Sequence, residues 1–340
     1  MSKILVTGGL GYIGSHTVVE LVNAGYEPVI VDDLSNSNPK ILDQLCKVLG
    51  FKPASFQFDL CDEQKLSNFI ESQPDITGII HFAAFKAVGE SMHEPLKYYR
   101  NNLYSLLNLL EAYKGKLVNF VFSSSCTVYG QPDKLPVSEN APVKPAQSPY
   151  GNTKQIAEEI LKDAVVSGSI KKTVALRYFN PVGAHESALI GELPIGVPQN
   201  LVPFLTQTAI GKRKKITVFG DDYNTKDGSC VRDYIHVVDL AKAHVAALKL
   251  MEQKDFTGYD VFNIGTGKGN TVLEIITAFE SASGVKLNYI IGPRRNGDVE
   301  QVWGDVTKSV NELHWTAKLG IDEMMSSSWA WEKYLSENPL

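Results

Sequence analysis

Lys3-Ile4-Leu5-Val6-Thr7-Gly8-Gly9-Leu10-Gly11-Tyr12-Ile13-Gly14 opens the chain, and its reading decides the fold. The first five residues are a short β-branched run, the pattern of a buried strand. The run passes straight into glycines. A helical pattern follows from Ile13 to Val22 and stops at Gly25. Pro28-Val29-Ile30-Val31 is a second strand and ends in Asp32-Asp33. Strand, glycine turn, helix and strand make a βαβ unit. Gly9-x-Gly11-x-x-Gly14 matches the dinucleotide fingerprint, and Gly8-x-x-Gly11-x-x-Gly14 matches its wider variant. Such glycines permit the tight turn, the close approach of a pyrophosphate and the packing of helix on strand. The helix N-terminus then turns its free N–H groups to the phosphates. Asp32 ends the second strand about twenty residues on, where a carboxylate binds both ribose hydroxyls and repels a 2′-phosphate, which selects NAD over NADP. A purely structural glycine turn would leave Asp32 unexplained.

Further strands alternate with helices. Ala54–Phe58 is a strand ending at Asp59, whose carboxylate either accepts from an adenine amino group or caps the next helix. Gly78–Phe82 runs into Ala83-Ala84, small residues that let backbone approach a cofactor. His81, inside that apolar strand, reads as a core histidine. Lys86 follows at the carboxyl edge, where ligands bind in such sheets. Pro95–Tyr113 reads as a long helix with Asn101 near its start. Leu117–Phe122 is a strand ending in Ser123-Ser124-Ser125, and Thr173–Tyr178 another, followed by Phe179-Asn180-Pro181. This alternation predicts an α/β fold with a Rossmann-type, doubly wound parallel sheet. From Pro181 to about Gln199 the texture becomes loop-rich, which marks a boundary. Residues 1–180 are expected to form the NAD-binding domain and 181–340 a smaller mixed α/β substrate domain. Segments near 237–267 are expected to pack back on the first. Gly265-Thr266-Gly267 lacks an acid-ended βαβ unit after it and reads as a structural turn.

The 340 residues are 44% apolar and 21% charged, with a net charge of −5, which fits a globular chain and argues against nucleic-acid binding. Four cysteines lie far apart without a C-x-x-C pair, so neither a disulfide framework nor a metal site is expected. The apolar start breaks at glycine too early for a signal peptide, and no apolar run approaches membrane-spanning length. A cytoplasmic protein is expected.

Tyr150-Gly-Asn-Thr-Lys154 carries the chemistry. Tyrosine and lysine four residues apart share one helix face, and Pro149 marks a helix start. A free phenol with a pKa of about 10 is a poor base at neutral pH. A neighbouring cation would lower that value and let the pair move protons on and off an alcohol. Ser125, Tyr150, Lys154 and Asn180 all fall at or just after strand ends. A hydroxyl, a phenol and a cation beside a nicotinamide suit hydride chemistry at a secondary alcohol.

The motifs T-G-G-x-G-Y-I-G-S-H, F-A-A-x-K-A-V-G-E-S, S-S-S-x-T-V-Y-G, Y-G-x-T-K, R-Y-F-N-P and R-D-Y-I-H-V-x-D-L-A occur here in order. Together they resemble the extended short-chain dehydrogenase/reductase family, from about Lys3 to Trp331. Within it they are most similar to members that invert UDP-hexoses at C4. The resemblance implies that Gly8, Gly11, Tyr12, Ile13, Gly14, Asp32 and Asn36 hold NAD. Asp59, Leu60, Phe82, Ala83, Lys86, Asn101, Tyr150, Lys154 and Tyr178 complete that implied cofactor set. Tyr150 would be the acid/base, Ser125 would share its hydrogen bond, and Lys154 would bind the nicotinamide ribose and depress the Tyr150 pKa. Asn180, Asn200, Leu201, Phe219, Arg232, Tyr234 and Arg295 would hold the UDP-sugar, with Asp298 on the uridine ribose. Guanidinium forks suit a diphosphate independently of any resemblance, although Arg232 stands next to Asp233 and could serve a salt bridge instead. A homodimer packed through the helices near 95–113 and 150–166 is also implied.

Val302 appears where family members restricted to plain hexoses carry tyrosine. An isopropyl group in place of a phenol leaves room for an acetamido group, so N-acetylated UDP-hexoses are expected as substrates too. Two alternatives compete. A nucleotide-sugar 4,6-dehydratase, like a UDP-glucuronate decarboxylase, would need carboxylates just after Ser124, where this chain has Ser125-Cys126-Thr127. A non-catalytic NAD sensor would have no need of Ser125, Tyr150 and Lys154 together.

Overall fold

The computed structural model describes residues 1–116, 118–295 and 299–340. Strands β1 (Lys3–Thr7), β2 (Glu27–Asp32), β3 (Ala54–Gln57), β4 (Ile76–His81), β5 (Asn119–Ser125) and β6 (Lys172–Tyr178) pair in the order β6-β5-β4-β1-β2-β3. Gly258–Ile264 adds a seventh strand outside β6, and every pairing is parallel. Parallel strands buried on both faces read as continuous apolar runs because successive side chains alternate between faces. Ile4 and Val6 join one apolar cluster with Ile30, Ile80, Val121, Leu176 and the Val18 and Leu240 helices. Leu5 joins the other, with Val29, Ile79, Phe120, Leu106 and Leu161. The doubly wound sheet expected from the alternation is therefore present. Its strand order reverses between β1 and β4, and ligands bind at the carboxyl ends of such a switch point.

The sequence reading starts β5 at Leu117 and ends it in Ser123-Ser124-Ser125; Leu117 lies outside the described residues, and the strand, Asn119–Ser125, does end in those serines. Ser123, Ser124 and Ser125 stay in register with Leu176, Arg177 and Tyr178. Two of these hydroxyls are satisfied inside the protein, Ser123 Oγ by the Tyr178 hydroxyl and Ser124 Oγ by Glu158. Polar residues can therefore continue a buried strand there. The helices Lys40–Leu49, Glu63–Ser72, Val272–Ser283 and Ile321–Glu337 were not assigned from sequence. Val272–Ser283 carries a legible start: Thr271 Oγ1 accepts from Glu274 N at 3.1 Å, and Glu274 Oε2 accepts from Thr271 N at 2.8 Å.

The remaining elements gather around Val231–His236. It pairs in parallel with Asn180–Val182 and with Gln301–Val302, and antiparallel with Gly269–Thr271. Ile216–Phe219 pairs separately with Tyr289–Gly292. Leu205, Ile216, Val218, Ile275, Phe279, Met324 and Met325 form the core of this part. Among the described residues no helix is long and apolar enough to cross a membrane.

Candidate active site

The glycine loop lies at the switch point. Gly8 has φ +67°, and a Cβ there would come within 3.0 Å of Ala83 N. A Cβ on Gly14 would fall 2.2 Å from Gly8 O. The loop is thus closed on β4 and on its own helix by contacts that only glycine permits. Asp32, at the end of β2, is 7% exposed. Its carboxylate accepts from Leu10 N (2.9 Å), Leu34 N (2.9 Å) and Ser37 Oγ (2.7 Å). Burial raises its pKa, and these three hydrogen bonds oppose the rise. The carboxylate is held at the loop that a dinucleotide would cross. Asn36 stands exposed on the turn after it. A backbone cradle that a methyl group would fill, with an acid fixed at its rim, fits NAD.

Next to the loop, Thr7 Oγ1 lies 2.8 Å from His81 Nδ1, and burial pushes His81 down to about 3, so that ring is neutral core. Ala83 N donates to Thr7 Oγ1 at 3.3 Å, and the Phe82 ring packs 4.6 Å from His244. Tyr12 reaches across to donate to Gly183 O at 2.6 Å. Asn101 donates to Asn102 Oδ1 at 3.1 Å, and Asn102 in turn donates to Thr153 Oγ1 at 3.2 Å, which ties the Pro95–Ala112 helix to the Pro149–Val166 helix. Leu60 is buried. Asp59 Oδ1 accepts from Cys61 N at 2.8 Å, while the cap of the Glu63–Ser72 helix is Asp62. The capping alternative for Asp59 is thereby corrected: its turn bond lies three residues before the helix.

The helix Pro149–Val166 starts with Pro149 in its first turn, and Ser148 Oγ accepts from Gly151 N at 3.1 Å. This presents Tyr150 and Lys154 against the end of β5, both buried at 8% and 5% exposure. Lys154 Nζ donates to Ser123 O at 2.6 Å and lies 5.9 Å from the Tyr150 ring centroid and 4.8 Å from that of Phe122. Burial lowers Lys154 to about 7, against the pull of Glu158. The expected depression of Tyr150 is not what this arrangement gives. Burial raises the phenol well above its ordinary value, Tyr178 adds to the rise, and the Ser125 hydroxyl opposes it. Desolvation wins because the ammonium spends its short contact on the Ser123 carbonyl rather than on the phenol oxygen. Ser125 Oγ, at the strand end, accepts from Thr127 N at 3.2 Å. Cys126 is pushed up to about 12 by burial and carries no thiolate.

Beneath the pair lies a buried ion pair that sequence reasoning missed. Arg177 donates to both oxygens of Glu158, at 2.9 and 2.6 Å, and its guanidinium lies 4.8 Å over the Tyr129 ring. Glu158 falls one turn after Lys154, so an i, i+4 carboxylate in an apolar stretch was the available signal.

On the substrate side, pairing brings together residues that are far apart in sequence. Asn180 is in register with Tyr234, and Val302 with Arg232. Val302 is 5% exposed in a cluster with Val128, Tyr129, Val137 and Phe179, against which Cys126 packs. Arg232 donates to Val231 O at 2.9 Å. Asp233 instead takes the Thr266 N–H, the Thr266 hydroxyl and the Gly267 N–H at 2.8, 2.6 and 3.1 Å, which makes Gly265–Gly267 a turn built on one carboxylate. Arg295 lies 5.5 Å from the Phe219 ring. Asn200 immediately precedes the Leu201–Ala209 helix. Lys86 Nζ and Asn200 Nδ2 both reach Glu192, a residue not singled out from sequence. Asp298 lies outside the described residues. Among those residues no group of three or more His, Cys, Asp or Glu side chains could hold a metal.

A model of the GDP-mannose 4,6 dehydratase family matches residues 5–328. A UDP-glucose 4-epimerase of Erwinia amylovora is 48% identical over 338 residues, 99% of this chain and 98% of the relative. A solved UDP-glucose 4-epimerase of Bifidobacterium longum, in complex with NAD+ and UDP, superposes with a TM-score of 0.93 at 46% identity, covering 99% of both chains. A UDP-glucose 4-epimerase of Stenotrophomonas maltophila, with bound NAD and formylated UDP-arabinopyranose, gives 0.94 at 43% identity, again over 99% of both.

Proposed function

The chain belongs to the UDP-glucose 4-epimerases of the extended short-chain dehydrogenase/reductase family, and from that premise we infer that it interconverts UDP-glucose and UDP-galactose with NAD as its cofactor. The observation that carries the reading is the buried Tyr150–Lys154 pair beside Ser125, with Cys126-Thr127 rather than carboxylates after it. The matched family model bears a dehydratase name, but elimination of water across C5 and C6 needs an acid and a base that this turn lacks.

NAD supplies the hydride acceptor and donor at C4 and the fixed positive charge that a buried phenolate needs. Tyr150 is the acid/base at the C4 hydroxyl, with Ser125 sharing that hydrogen bond. In the nucleotide-free chain burial keeps the phenol protonated; to act as base it must first lose that proton, which the charges of Lys154 and a bound nicotinamide would favour, and it then takes the C4 hydroxyl proton and returns it to the 4-ketose. Lys154 orients the nicotinamide ribose and lends charge to the phenolate. The glycine loop, Asp32 and Lys86 hold the dinucleotide. Arg232 and Arg295 grip the diphosphate, with Asn180, Asn200, Tyr234 and Phe219 around it and Asp298 on the ribose. A firm grip on UDP and a loose one on the hexose let the ketose turn its other face. Residues 1–180, together with the Val237–Glu252 helix, which packs in the Ile4 and Val6 cluster, and Gly258–Ile264, which pairs with β6, form the cofactor unit, and the rest of 181–340 the substrate unit.

Val302 opens the sugar pocket to N-acetylhexosamines; its small side chain beside the Arg232 strand supports this. A homodimer packs through the 95–112 and 149–166 helices, supported by exposed Leu96, Tyr104, Leu107 and Val166 on them. A cytoplasmic location fits the four free cysteines. Proton NMR of purified protein with UDP-galactose, and no cofactor added, tests the activity. Conversion to the gluco epimer is expected; none, even with NAD supplied, would overturn it.

A further inference from the structure

Residues 183–200 join the strand Asn180–Val182 to the helix Leu201–Ala209, and one carboxylate there meets both Lys86 and Asn200. Glu192 Oε1 accepts from Asn200 Nδ2 at 2.6 Å and lies 3.5 Å from Lys86 Nζ. The Glu192 side chain is only 12% exposed, against 47% for Lys86. Its backbone is pinned from several sides. Trp331 Nε1 donates to Glu192 O at 2.9 Å, Gly191 bridges to Ala184, and His185 N donates to Ile190 O at 3.0 Å. The Tyr12 hydroxyl holds Gly183 O at 2.6 Å, so the segment is also tied to the helix of the glycine loop.

Asn200 occupies the N-cap position of the Leu201–Ala209 helix, where an asparagine side chain ordinarily accepts from the first turn. It makes no such cap here, and its amide nitrogen goes to Glu192 instead. A bond to a carboxylate is stronger than a neutral cap bond and fixes the amide plane. The Asn200 side chain is therefore held by Glu192 at the start of the helix rather than folded onto its first turn. The Lys86 pair is half in solvent and contributes orientation more than energy.

We propose that Glu192 is a positioning residue for the UDP-sugar, acting through Asn200 and oriented by Lys86. This rests on the epimerase reading above. Glu192→Ala removes the acceptor, whereas Glu192→Gln keeps an oxygen for Asn200 and loses only the charge. The test is the steady-state turnover of UDP-galactose by the NAD-bound wild type, Glu192→Ala, Glu192→Gln, Asn200→Ala and the Glu192→Ala/Asn200→Ala double variant. Glu192→Ala should raise KM about five- to tenfold with kcat within about twofold, the worth of one oriented hydrogen bond. The double variant should be no worse than Asn200→Ala alone, and Glu192→Gln should recover most of the loss. An unchanged KM in Glu192→Ala, a loss confined to kcat and melting temperature, or multiplying effects in the double variant would overturn the proposal. Absence of wild-type turnover would defeat the epimerase reading instead. UDP titrated into the same five proteins by calorimetry then decides the Glu192 proposal through the same ratios in Kd.

Discussion

Lys154→Met should make the nucleotide-free protein more stable while removing its activity. The ammonium is 5% exposed, and burial lowers its pKa from 10.5 to about 7. That fall corresponds to roughly 5 kcal/mol of preference for the neutral amine in the folded chain. Between pH 7 and 10.5 the unfolded chain binds the extra proton, so wild-type stability climbs with pH across that window. Below about pH 7 lysine is charged in both states and the whole penalty is present. Methionine has a similar length and no charge, so it removes the penalty, but it leaves the Ser123 carbonyl without the 2.6 Å bond it accepts. That orphaned acceptor costs about 1–3 kcal/mol. The net gain at pH 6 is roughly 2–4 kcal/mol, or a rise in Tm of about 3–6 °C for a chain of this length. The gain should fade as pH approaches 10. Turnover should drop by about 10²–10⁴-fold, as for loss of a group that supports proton transfer. Calorimetric scans of nucleotide-free wild type and variant at pH 6, 8 and 9.5 measure this. A variant less stable than wild type at pH 6, or a difference in Tm that ignores pH, would refute the assignment of a buried, strained cation.

Gly14→Ala puts a methyl group 2.2 Å from Gly8 O and 2.8 Å from Gly9 Cα, both backbone, so the loop must open; the purified protein should carry less than about a hundredth of the wild-type NAD by absorbance after denaturation, with retained NAD counting against the cradle. Glu158→Gln leaves the Arg177 guanidinium, 2% exposed, without its counter-charge; urea unfolding at pH 7 should register a loss of about 3–5 kcal/mol, and a loss below about 1 kcal/mol would mean the pair is not the buried anchor described. Val302→Tyr should cut UDP-N-acetylgalactosamine turnover at least about tenfold while sparing UDP-galactose; equal losses on both would remove Val302 from the specificity argument.

The sheet and cofactor loop were legible because their constraints are local. Parallel strands with both faces buried must be apolar throughout, and the turn from β1 into its helix admits only glycine at Gly8 and Gly14. Tyr150 and Lys154 were legible because helix geometry brings residues four apart together. What escaped depends on partners distant in sequence. The strand end at Ser123–Ser125 was legible, but not what buries its serines: Ser123 finds Tyr178 and Ser124 finds Glu158. The rise in the Tyr150 pKa escaped for a related reason: a cation in sequence proximity says nothing about how much solvent the fold removes. A salt bridge to Asp233 was the lesser alternative for its neighbour Arg232; adjacent strand residues point to opposite faces, and the Asp233 oxygens serve the 265–267 turn. Glu192 gave no signal at all, since nothing local marks a loop carboxylate that meets Lys86 and Asn200 from distant parts of the sequence.

The central claim is that C4 is oxidised and re-reduced within one closed site, with no elimination at C5 and C6. UDP-galactose carrying deuterium at C4, turned over by the protein without added cofactor and followed by proton and deuterium NMR, tests it most directly. The account predicts UDP-glucose with the deuterium still at C4 and none released to water. Deuterium found at C6 of a 4-keto-6-deoxy product, or exchanged for solvent hydrogen, would contradict it.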